Sequence, residues 1–596
     1  MSTGAAALAA FAHGGDRVAQ ALHAHGVPCI YTLCGGHISP ILAAARTRGI
    51  RIVDVRDEAT AVFAADAAAR ISGRPGVAAV TAGPGITNVI TALKNAQLAQ
   101  SAIVVLGGAA PTALQGRGAL QDIDQRALVA PHVKRFTKLR RVRDLGPAVA
   151  DAFALARSDV PGPVFVECPV DLLYDESSIR DWYGQAGGRG RSLPERALRW
   201  YLDRHAARMF EGAATTGPVD AHAVQAPRVA ARALDAARSA LASAKRPLVV
   251  IGSQALADAA GADALAAAVE RLGIPVYLSG MARGLLGREH RLQMRHQRRA
   301  ALRDSDCVIL AGVPCDFRLD YGRHVRRSAT LISANRSPRD ARMNRRPDIA
   351  AIGDAAGFLR ALAPSVPLTA TDSAPIGGSG PYDHWQGTLR ERDDARETEI
   401  EAHSAVVGKH VNPVALLRRL EAIAGENAIF VADGGDFVGT ASYVLRPRGP
   451  LSWLDPGAFG TLGVGAGFAL GAGVTRPDTE VWIVFGDGAC GFGLAEFDTF
   501  VRHGIPAIAV VGNDACWTQI AREQVKMLGD DVGTVLARTD YHAVAAGFGA
   551  EGILVRAMSE VDDALRRARA VAAAGRPVLV NVWLDPTSFR EGSLSM

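Results

Sequence analysis

The chain has 596 residues, of which 48% are apolar and 21% charged, as in an ordinary globular protein with about three to four domains. No stretch approaches the ~18 uninterrupted apolar residues of a membrane span, and residues 1–16 lack the basic leader of a secretory signal. We therefore expect neither a membrane segment nor a signal peptide. Seven scattered cysteines without a CxxC pair favour reduced thiols and a cytoplasmic location over disulfides or zinc.

The net charge of +6 is unevenly distributed along the chain. Residues 283–346 contain 16 Arg, no Lys and 6 acidic residues, a balance of +10, so the rest of the chain carries −4. Such a segment favours a phosphate-bearing ligand, and a solvated face or a subunit contact is the alternative. No aromatic-rich basic module accompanies the arginines, so we do not expect nucleic acid as a partner.

Apolar runs alternate with amphipathic helical stretches in three successive blocks. This pattern predicts an α/β fold with three doubly wound parallel-sheet domains. Pro-, Gly- and Ser-rich stretches separate the blocks and predict two linkers, the first with some local structure. The predicted organisation is an N-terminal domain, a linker, a central domain, a second linker and a C-terminal domain with its tail, at residues 1–180, 181–226, 227–365, 366–408 and 409–596.

Two motifs in the first block follow predicted strands. Glu58 comes just after the strand at 51–55 and opens a helix, where the helix dipole favours a carboxylate. Taken alone, Glu58 is better interpreted as an ordinary charge at a helix N-terminus. The sequence TAGPGITN at 81–88 is a strand running into a glycine-proline turn, which either lets the backbone approach a ligand closely or makes a tight turn.

Two strand ends of the third block carry oxygen-bearing side chains. Asp487 follows the buried run VWIVF, and Asn513 follows AIAVV 26 positions later, about the length of one strand–helix–strand crossover. Residues at the carboxyl ends of neighbouring parallel strands share one crevice, and carboxylate and amide oxygens suit Mg²⁺. The sequence therefore predicts a Mg²⁺ site here. The alternative is two ordinary turns that carry Asp and Asn.

Two glycine-rich segments precede this site. ADGGDF at 432–437 follows a strand and opens a helix, whose free backbone N–H groups can receive phosphate oxygens. FGTLGVGAGFALGAG, which starts at Phe459, is too rich in small residues for a conventional amphipathic helix. It is suited to pressing closely on a flat ligand or on a neighbouring subunit.

Together with GGAAPTALQGRGALQD and PGPVFVECPVD, these motifs resemble thiamine-diphosphate enzymes of the acetolactate synthase type over nearly the whole chain. The segments GGHISP, CDFRLDYGR, GGDFVGTASY and GNDACWTQI are most similar to the acetolactate synthase-like proteins that act as 2-hydroxyacyl-CoA lyases. The resemblance implies a pyrimidine-binding domain, a central nucleotide- or CoA-binding-like domain and a diphosphate-binding domain, in that order.

The resemblance also assigns roles to the cofactor-binding residues. Glu58 is expected to hydrogen-bond the aminopyrimidine of thiamine diphosphate and thereby activate the cofactor. Gly460 is expected to offer its carbonyl to the cofactor's amino group, and Leu462 to hold the cofactor in a bent conformation. The residues expected to contact the diphosphate are Gly434, Gly435, Asp436, Gly488 and Ala489. The expected Mg²⁺ ligands are Asp487, Asn513 and the carbonyl of Ala515.

Two further residues are expected near the reacting carbon. His37 matches a position that related lyases use to handle the substrate hydroxyl, although a structural role in its glycine turn is the alternative. Gln121 matches a glutamine that hydrogen-bonds the reaction intermediate. Trp517 and Cys516 are expected either to line the pocket or to pack in the core. The C-terminal SFREGSLSM is expected to be either a frayed tail or a lid over the site.

The implied reaction is cleavage of a 2-hydroxyacyl-CoA to an aldehyde or ketone and formyl-CoA, or the reverse condensation. The arginine-rich segment suits a CoA or ADP nucleotide in the central domain. The first alternative is an FAD-containing acetolactate synthase that condenses pyruvate with a 2-keto acid, although GGDFVG departs from that enzyme's usual GQHQMW-type sequence. FAD is therefore the less favoured ligand.

The second alternative is a catalytically silent relative, against which the retained Glu58, Asp487 and Asn513 argue. The expected partners are small acyl-CoA and aldehyde substrates.

Glu58 and the Mg²⁺ ligands fall in different predicted domains, and in the family the cofactor bridges two subunits. The resemblance therefore implies a homodimer or homotetramer with active sites between subunits.

Overall fold

The computed structural model describes residues 13–188, 191–215, 217, 219–363 and 382–592. These residues form two compact units, the first reaching to Val224 and the second starting at Gln225, with the short segment Arg70–Gly73 grouped with the second. Residues 1–12 of the N-terminal stretch, the first part of the second predicted linker (366–381) and the last four residues of the C-terminal tail lie outside the described residues.

The first unit holds one parallel sheet in its described residues. Its strands are β1 (Cys29–Thr32), β2 (Arg51–Asp54), β3 (Gly76–Val80), β4 (Ile103–Ala109), β5 (Arg135–Lys138) and β6 (Val164–Pro169). Its helices are α1 (Gly14–Ala24), α2 (Ser39–Thr47), α3 (Glu58–Ser72), α4 (Pro84–Asn88), α5 (Ile90–Ala99), α6 (Gln125–Val129), α7 (Leu145–Arg157), α8 (Glu176–Ala186) and α9 (Leu193–Phe210). The strand order is β2-β1-β3-β4-β6-β5.

The second unit holds two parallel sheets in its described residues. The strands of its first sheet are β7 (Pro247–Ile251), β8 (Val276–Leu278), β9 (Gln293–Met294), β10 (Cys307–Ala311), β11 (Thr330–Asn335) and β12 (Ile349–Ile352). The accompanying helices are α10 (Ala231–Ser243), α11 (Ala262–Leu272), α12 (Arg298–Asp304) and α13 (Ala355–Leu362). The strand order, β12-β11-β10-β7-β8-β9, is that of a dinucleotide-binding sheet.

The other sheet of the second unit contains the predicted Mg²⁺ site. Its strands are β13 (Ile429–Ala432), β14 (Trp453–Leu454), β15 (Val481–Gly486), β16 (Ile508–Asn513), β17 (Glu551–Val555) and β18 (Val578–Trp583), in the order β14-β13-β15-β16-β18-β17. Helix α14 (Asp383–Ser404) precedes this sheet. The helices that accompany the sheet are α15 (Pro413–Ile423), α16 (Asp436–Val444), α17 (Val464–Thr475), α18 (Asp487–Gly493), α19 (Glu496–His503), α20 (Thr518–Leu528), α21 (Tyr541–Gly547) and α22 (Met558–Ala573).

The first and third sheets have the same strand order when each is numbered from its own first strand. In both sheets, the second strand lies on one side of the first strand, and the third strand lies on the other side of the first. A ligand crevice is expected at this point, outside the carboxyl ends of the two strands. The crevice lies after β1 and β3 in the first unit and after β13 and β15 in the second.

The strands are buried because nearly every position is apolar. All residues of β3, β4, β6, β7, β10 and β16 are buried, as expected for parallel sheets that helices cover on both faces. The predicted α/β class with three doubly wound parallel-sheet domains is confirmed. The five predicted domain and linker boundaries stay predictions.

Both predicted linkers contain long helices. Helix α9 occupies the middle of the first, where some local structure is expected. Helix α14 occupies the described part of the second, which the sequence reading did not anticipate. Trp385 explains its position: the indole is buried and donates a hydrogen bond of 3.0 Å to the carbonyl of Pro247 in β7. The helix thus completes the core beside the central sheet.

No helix of the described residues is long and apolar enough to cross a membrane. All seven cysteines lie in the described part of the chain, and all are free thiols. The predicted cytoplasmic location stays a prediction.

Candidate functional site

Glu58 is the first residue of α3, immediately after the strand β2 and its turn. Its side chain is buried, with 6% of the residue exposed. The amide Nδ2 of Asn88 donates a hydrogen bond of 2.9 Å to Glu58 Oε2. This bond leaves Glu58 Oε1 facing Gly85, where a side-chain carbon would come within 3.3 Å of it. The carboxylate is therefore held in one orientation beside the glycine-proline turn.

His37 and Gln121 reach the same part of the first unit. The Nδ1 atom of His37 lies 3.2 Å from the hydroxyl of Thr81, at the end of β3. Burial lowers the pKa of His37, so the imidazole is neutral at pH 7. A side-chain carbon at Gly83 would lie 2.8 Å from Cβ of Gln121. The structure thus gathers three predicted site residues, Glu58, His37 and Gln121, around the turn after β3.

Asp487 and Asn513 lie side by side at the carboxyl ends of two neighbouring strands. Strands β15 and β16 are parallel, and Gly486 pairs with Gly512. The next residue of each chain segment is Asp487 and Asn513. The adjacency that the 26-residue spacing predicts is therefore present.

Both side chains keep one oxygen without a hydrogen-bond partner. Asn513 Nδ2 donates to the carbonyl of Thr539 and to Asn581 Oδ1, each at 3.2 Å, which orients the amide. Among the described residues, no donor reaches Asn513 Oδ1 or Asp487 Oδ2, and both atoms are buried. Burial, and after it the charge of Asp514, raises the pKa of Asp487 to about 7. Two buried, unsatisfied oxygens on adjacent strands fit a bound cation.

The third predicted Mg²⁺ ligand, the carbonyl of Ala515, is partly engaged. Ala515 adopts a left-handed backbone conformation with φ of 60°. Its carbonyl accepts a hydrogen bond of 2.8 Å from the backbone N–H of Leu536. Because a carbonyl oxygen has two lone pairs, one remains for a metal.

The predicted diphosphate contacts follow β13 and open α16. Gly435 adopts φ of 103°, a conformation that glycine tolerates best, and the helix begins at Asp436. The carboxylate of Asp436 lies 2.5 Å from the guanidinium of Arg522 in α20. Because its charge is already paired, the backbone N–H of Asp436, rather than its side chain, is the group left for the predicted phosphate contact. Gly434 contacts the side chain of Leu462, another predicted cofactor residue.

Asp433 is a site residue that the sequence reading missed. It is buried at the end of β13, and its two oxygens accept hydrogen bonds from the backbone N–H groups of Gly463 (2.9 Å) and Gly465 (2.6 Å). Burial raises the pKa of Asp433 to about 7. These bonds fix the turn that carries Gly460 and Leu462 against the loop after β13. The signal in the sequence was an acidic residue directly after a buried strand.

Gly488 and Ala489 lie in the first turn of α18, and Ala489 is buried. Gly488 contacts the indole of Trp517, which leaves no room for a side chain there. The hydroxyl of Thr518 donates to Asp514 Oδ2 at 2.5 Å. Trp517 thus packs against the first turn of α18; whether it lines the pocket or packs in the core stays a prediction.

The C-terminal segment is ordered as far as the structure describes it. Phe589 is buried and packs edge-on against Tyr443 and His403, with ring centroids 5.9 and 5.3 Å apart. The described residues up to Gly592 are therefore not a frayed tail. The remaining four residues lie outside the described part of the chain.

Comparison with protein families identifies three domains in the chain. Three family models match: the N-terminal TPP binding domain of thiamine pyrophosphate enzymes at residues 12–128, their central domain at 234–362 and their C-terminal TPP binding domain at 433–582. The first contains the Glu58 cluster, and the last contains Asp487 and Asn513.

Individual relatives cover nearly the whole chain. Proteins named 2-hydroxyacyl-CoA lyase 2 from Homo sapiens and Danio rerio are 50% and 48% identical to it, over 98% of this chain and 92% and 93% of theirs. The acetolactate synthase large subunit IlvG of Mycobacterium tuberculosis is 36% identical, over 96% of both chains. With relatives this similar over this length, and with all three domain models matched, the chain belongs to the family of thiamine pyrophosphate enzymes.

Proposed function

We propose that the protein is a thiamine-diphosphate- and Mg²⁺-dependent lyase. It cleaves the C1–C2 bond of a 2-hydroxyacyl-CoA to give an aldehyde or ketone and formyl-CoA, and it catalyses the reverse condensation. The observation that carries the proposal is the identity of 48–50% with proteins named 2-hydroxyacyl-CoA lyase 2 over 98% of the chain. Glu58 and the Asp487–Asn513 pair are both in place, which argues against a catalytically silent relative.

The unsatisfied oxygens support Mg²⁺ at the strand ends. Asp487 Oδ2, Asn513 Oδ1 and the free lone pair of the Ala515 carbonyl would bind the ion. Mg²⁺ retains positions for phosphate oxygens, so the N–H groups after Gly434 and Gly435 would hold the same diphosphate. When bound, thiamine diphosphate supplies a carbon nucleophile and accepts the electron pair of the broken bond.

Glu58 Oε1 would exchange a proton with the pyrimidine ring of the cofactor. Its Oε2 atom is occupied by the hydrogen bond from Asn88, so only Oε1 is left for the cofactor. The buried position excludes water that would compete for this bond. Orientation by Asn88 would therefore keep Oε1 as the atom that exchanges the proton.

His37 would take the proton of the substrate's 2-hydroxyl group. As the C1–C2 bond breaks, this hydroxyl becomes the carbonyl of the released aldehyde and must lose its proton. This role requires the neutral tautomer in which Nδ1–H donates to the Thr81 hydroxyl, because Nε2 is then the acceptor. Gln121, beside Gly83, would hydrogen-bond the same region of the substrate.

The acetolactate synthase alternative includes FAD in the central domain, and the side chains there argue against it. At the ends of β7 and β11, Gln254 Nε2 donates to Asn335 Oδ1 at 2.9 Å, and the backbone N–H of Arg336 donates to Gln254 Oε1 at 2.7 Å. Arg336 pairs with the buried Asp354 at 2.6 Å. A dinucleotide at this crevice would have to displace bonds that are already made.

The two half-sites belong to different compact units, Glu58 to the first and the predicted Mg²⁺ ligands to the second. This separation supports a homodimer or homotetramer with the cofactor between subunits. Light scattering coupled to gel filtration measures the mass directly. A monomer that is fully active would contradict the assembly.

The test of the activity offers a 2-hydroxyacyl-CoA and pyruvate side by side, with thiamine diphosphate and Mg²⁺. We expect formyl-CoA and aldehyde from the first substrate and no consumption of the second. Consumption of pyruvate with the thioester untouched would overturn the proposal. The absorbance spectrum of the purified protein gives a second readout, because a flavin-loaded preparation is yellow.

A further inference from the structure

A cleft in the second unit, separate from the metal-binding strand ends, has a strongly positive lining. It has a volume of about 650 Å³, within the usual range for small-molecule sites. Residues from β8, β9, α12, α16 and the C-terminal segment surround it. Its lining in the described residues includes seven arginines but two acidic side chains, Asp320 and Glu591.

Some of these arginines already have acidic partners. Arg295 pairs with Glu397 at 3.0 Å and also donates to backbone carbonyls of residues 443–445. Arg318 pairs with Asp316 at 2.5 Å. These arginines are structural, and they account for part of the positive charge of residues 283–346.

Arg283 and Arg298 differ from the arginines that pair with acids. Arg283 donates to the carbonyl of Ser442 at 2.7 Å and stacks on the ring of Trp453. Arg298 donates to the carbonyl of Arg318 at 2.6 Å. Neither forms an ion pair with an acidic side chain within the described residues. The next residue, Arg299, is exposed and also lines the cleft.

The charges of Arg283 and Arg298 are costly where they stand. Burial lowers the pKa of both guanidinium groups. Nearby Asp455 offsets part of this effect for Arg283, whereas the proximity of Arg283 lowers the pKa of Arg298 further. Partly desolvated charges without a counter-ion are expensive unless a ligand supplies one. Guanidinium groups match phosphate oxygens in geometry and charge. The lining therefore indicates a phosphate ester as the ligand.

Aromatic side chains stand beside the arginines. Phe317 and Tyr321 line the cleft with exposed fractions of 50% and 46%, and Tyr443 lies on the opposite element, α16. Exposed aromatic faces in a polar cleft are suited to stacking on a planar base. Arginines and aromatic rings together match a purine nucleotide better than a simple phosphate.

We propose that this cleft binds the adenosine nucleotide end of the CoA thioester, with Arg298 and Arg299 on its phosphates. The inference rests on the proposed function, since it identifies where that substrate is held. It places the nucleotide outside the switch-point crevice that Gln254, Asn335 and Arg336 fill. The contacts between these arginines and the phosphates would then hold the substrate at a distance from its reacting carbon.

The test uses the holoenzyme with the double variant Arg298→Gln/Arg299→Gln and two substrates. One substrate is a 2-hydroxyacyl-CoA, and the other is the same acyl group on pantetheine, which lacks the nucleotide. Two lost charge-assisted contacts predict a fall of at least about tenfold in kcat/KM for the CoA thioester. The pantetheine thioester should react equally well with both enzymes. Arg291→Gln, an exposed arginine outside the cleft, is the matched control.

Calorimetric titration with adenosine 3′,5′-bisphosphate gives a readout without turnover. We expect binding to wild type and to Arg291→Gln, and at least about tenfold weaker binding to the double variant. Equal losses with both thioesters, or unchanged bisphosphate affinity, would overturn the inference. If wild type cleaves neither thioester but binds the bisphosphate through these arginines, the proposed function fails and the cleft assignment stands.

Discussion

Asp487 and Asn513 stand next to each other, one residue beyond the paired Gly486 and Gly512, and each keeps one buried oxygen without a hydrogen bond. The amide nitrogen of Asn513 donates hydrogen bonds to Asn581 Oδ1 and to the carbonyl of Thr539. These bonds orient the amide so that its oxygen is free to bind a cation. This arrangement leads to the first prediction.

Replacing Asn513 with Ala should weaken Mg²⁺-dependent binding of thiamine diphosphate by at least about tenfold, because one of the ligands is lost. Calorimetric titration of the cofactor at several Mg²⁺ concentrations measures the effect. Asn427→Ala, which removes an exposed asparagine before β13, at the opposite end of the same parallel sheet, serves as the control and should bind normally. Unchanged Mg²⁺ dependence in Asn513→Ala would contradict the metal assignment.

Glu58→Gln keeps the shape of the side chain and removes its negative charge. We expect kcat to fall by about 10²–10⁴-fold, the usual range for loss of an acid–base group. Affinity for thiamine diphosphate should stay within about threefold, since the Mg²⁺ and phosphate contacts supply most of the binding.

Steady-state kinetics and cofactor titration separate these two effects of Glu58→Gln. Glu211→Gln, an exposed glutamate of the same unit whose side chain is 61% exposed, is the matched control. Full activity of Glu58→Gln would exclude the proposed role.

His37→Ala should lower kcat by about 10²-fold or more while leaving cofactor affinity unchanged, because the imidazole acts on the substrate hydroxyl. Thr81→Val should have a smaller effect, since it removes the hydrogen bond that orients the ring but not the ring itself. Because burial lowers the pKa of His37, the acid limb of the wild-type rate profile should lie below pH 6.5 and disappear in His37→Ala.

The His37 experiment also separates catalysis from structure. A merely structural histidine would lower the melting temperature and leave the shape of the pH profile intact. His132→Ala, another histidine of the first unit whose pKa is lowered by burial, should leave kcat unchanged.

Asp433 makes stability depend on pH with a defined sign. Its pKa is about 7 in the folded chain and near 3.9 in an unfolded one, so between these values the folded state holds the extra proton. Its contribution to the free energy of unfolding is therefore largest below about pH 4 and falls as pH rises to about 7, by at most ~1.4 kcal/mol per pH unit.

Melting temperatures of the cofactor-free protein at pH 5 and pH 7 check this slope. Asp433→Asn cannot ionise, so the variant should lose less stability than wild type between the two values. The variant also gives up one of the two hydrogen bonds to Gly463 and Gly465, which lowers its stability at both. A wild type that gains stability over Asp433→Asn as pH rises would contradict the raised pKa.

Much of the architecture is encoded locally. Buried apolar runs such as that before Asp487 predict strands, and the helical stretches between them predict parallel connections. Because parallel strands end at the same edge of a sheet, the positions of Asp487, Asn513 and Gly434 follow from where their strands end. Glu58 likewise follows from a strand running into a helix.

Other features depend on contacts between distant segments. Asp433 binds a turn 30 positions later, and Asp436 pairs with Arg522 across two helices. Helix α14 lies in a stretch that begins with Pro, Gly and Ser, and its sequence has only a weak amphipathic pattern. The helix is held by burial of Trp385 and Leu389 against the central sheet. No pattern within a few neighbouring residues predicts these long-range contacts.

By itself, the sequence determined the fold class, the strand ends that carry Asp487 and Asn513, and the helix start at Glu58. Each of these depends on periodicity and on residue type within a few positions. Only the tertiary structure decided which arginines of the positive segment are neutralised by acids and which, like Arg298, line a cleft and pair with no acidic side chain among the described residues. The physical reason is that an ion pair depends on distance in space, and strand order sets that distance.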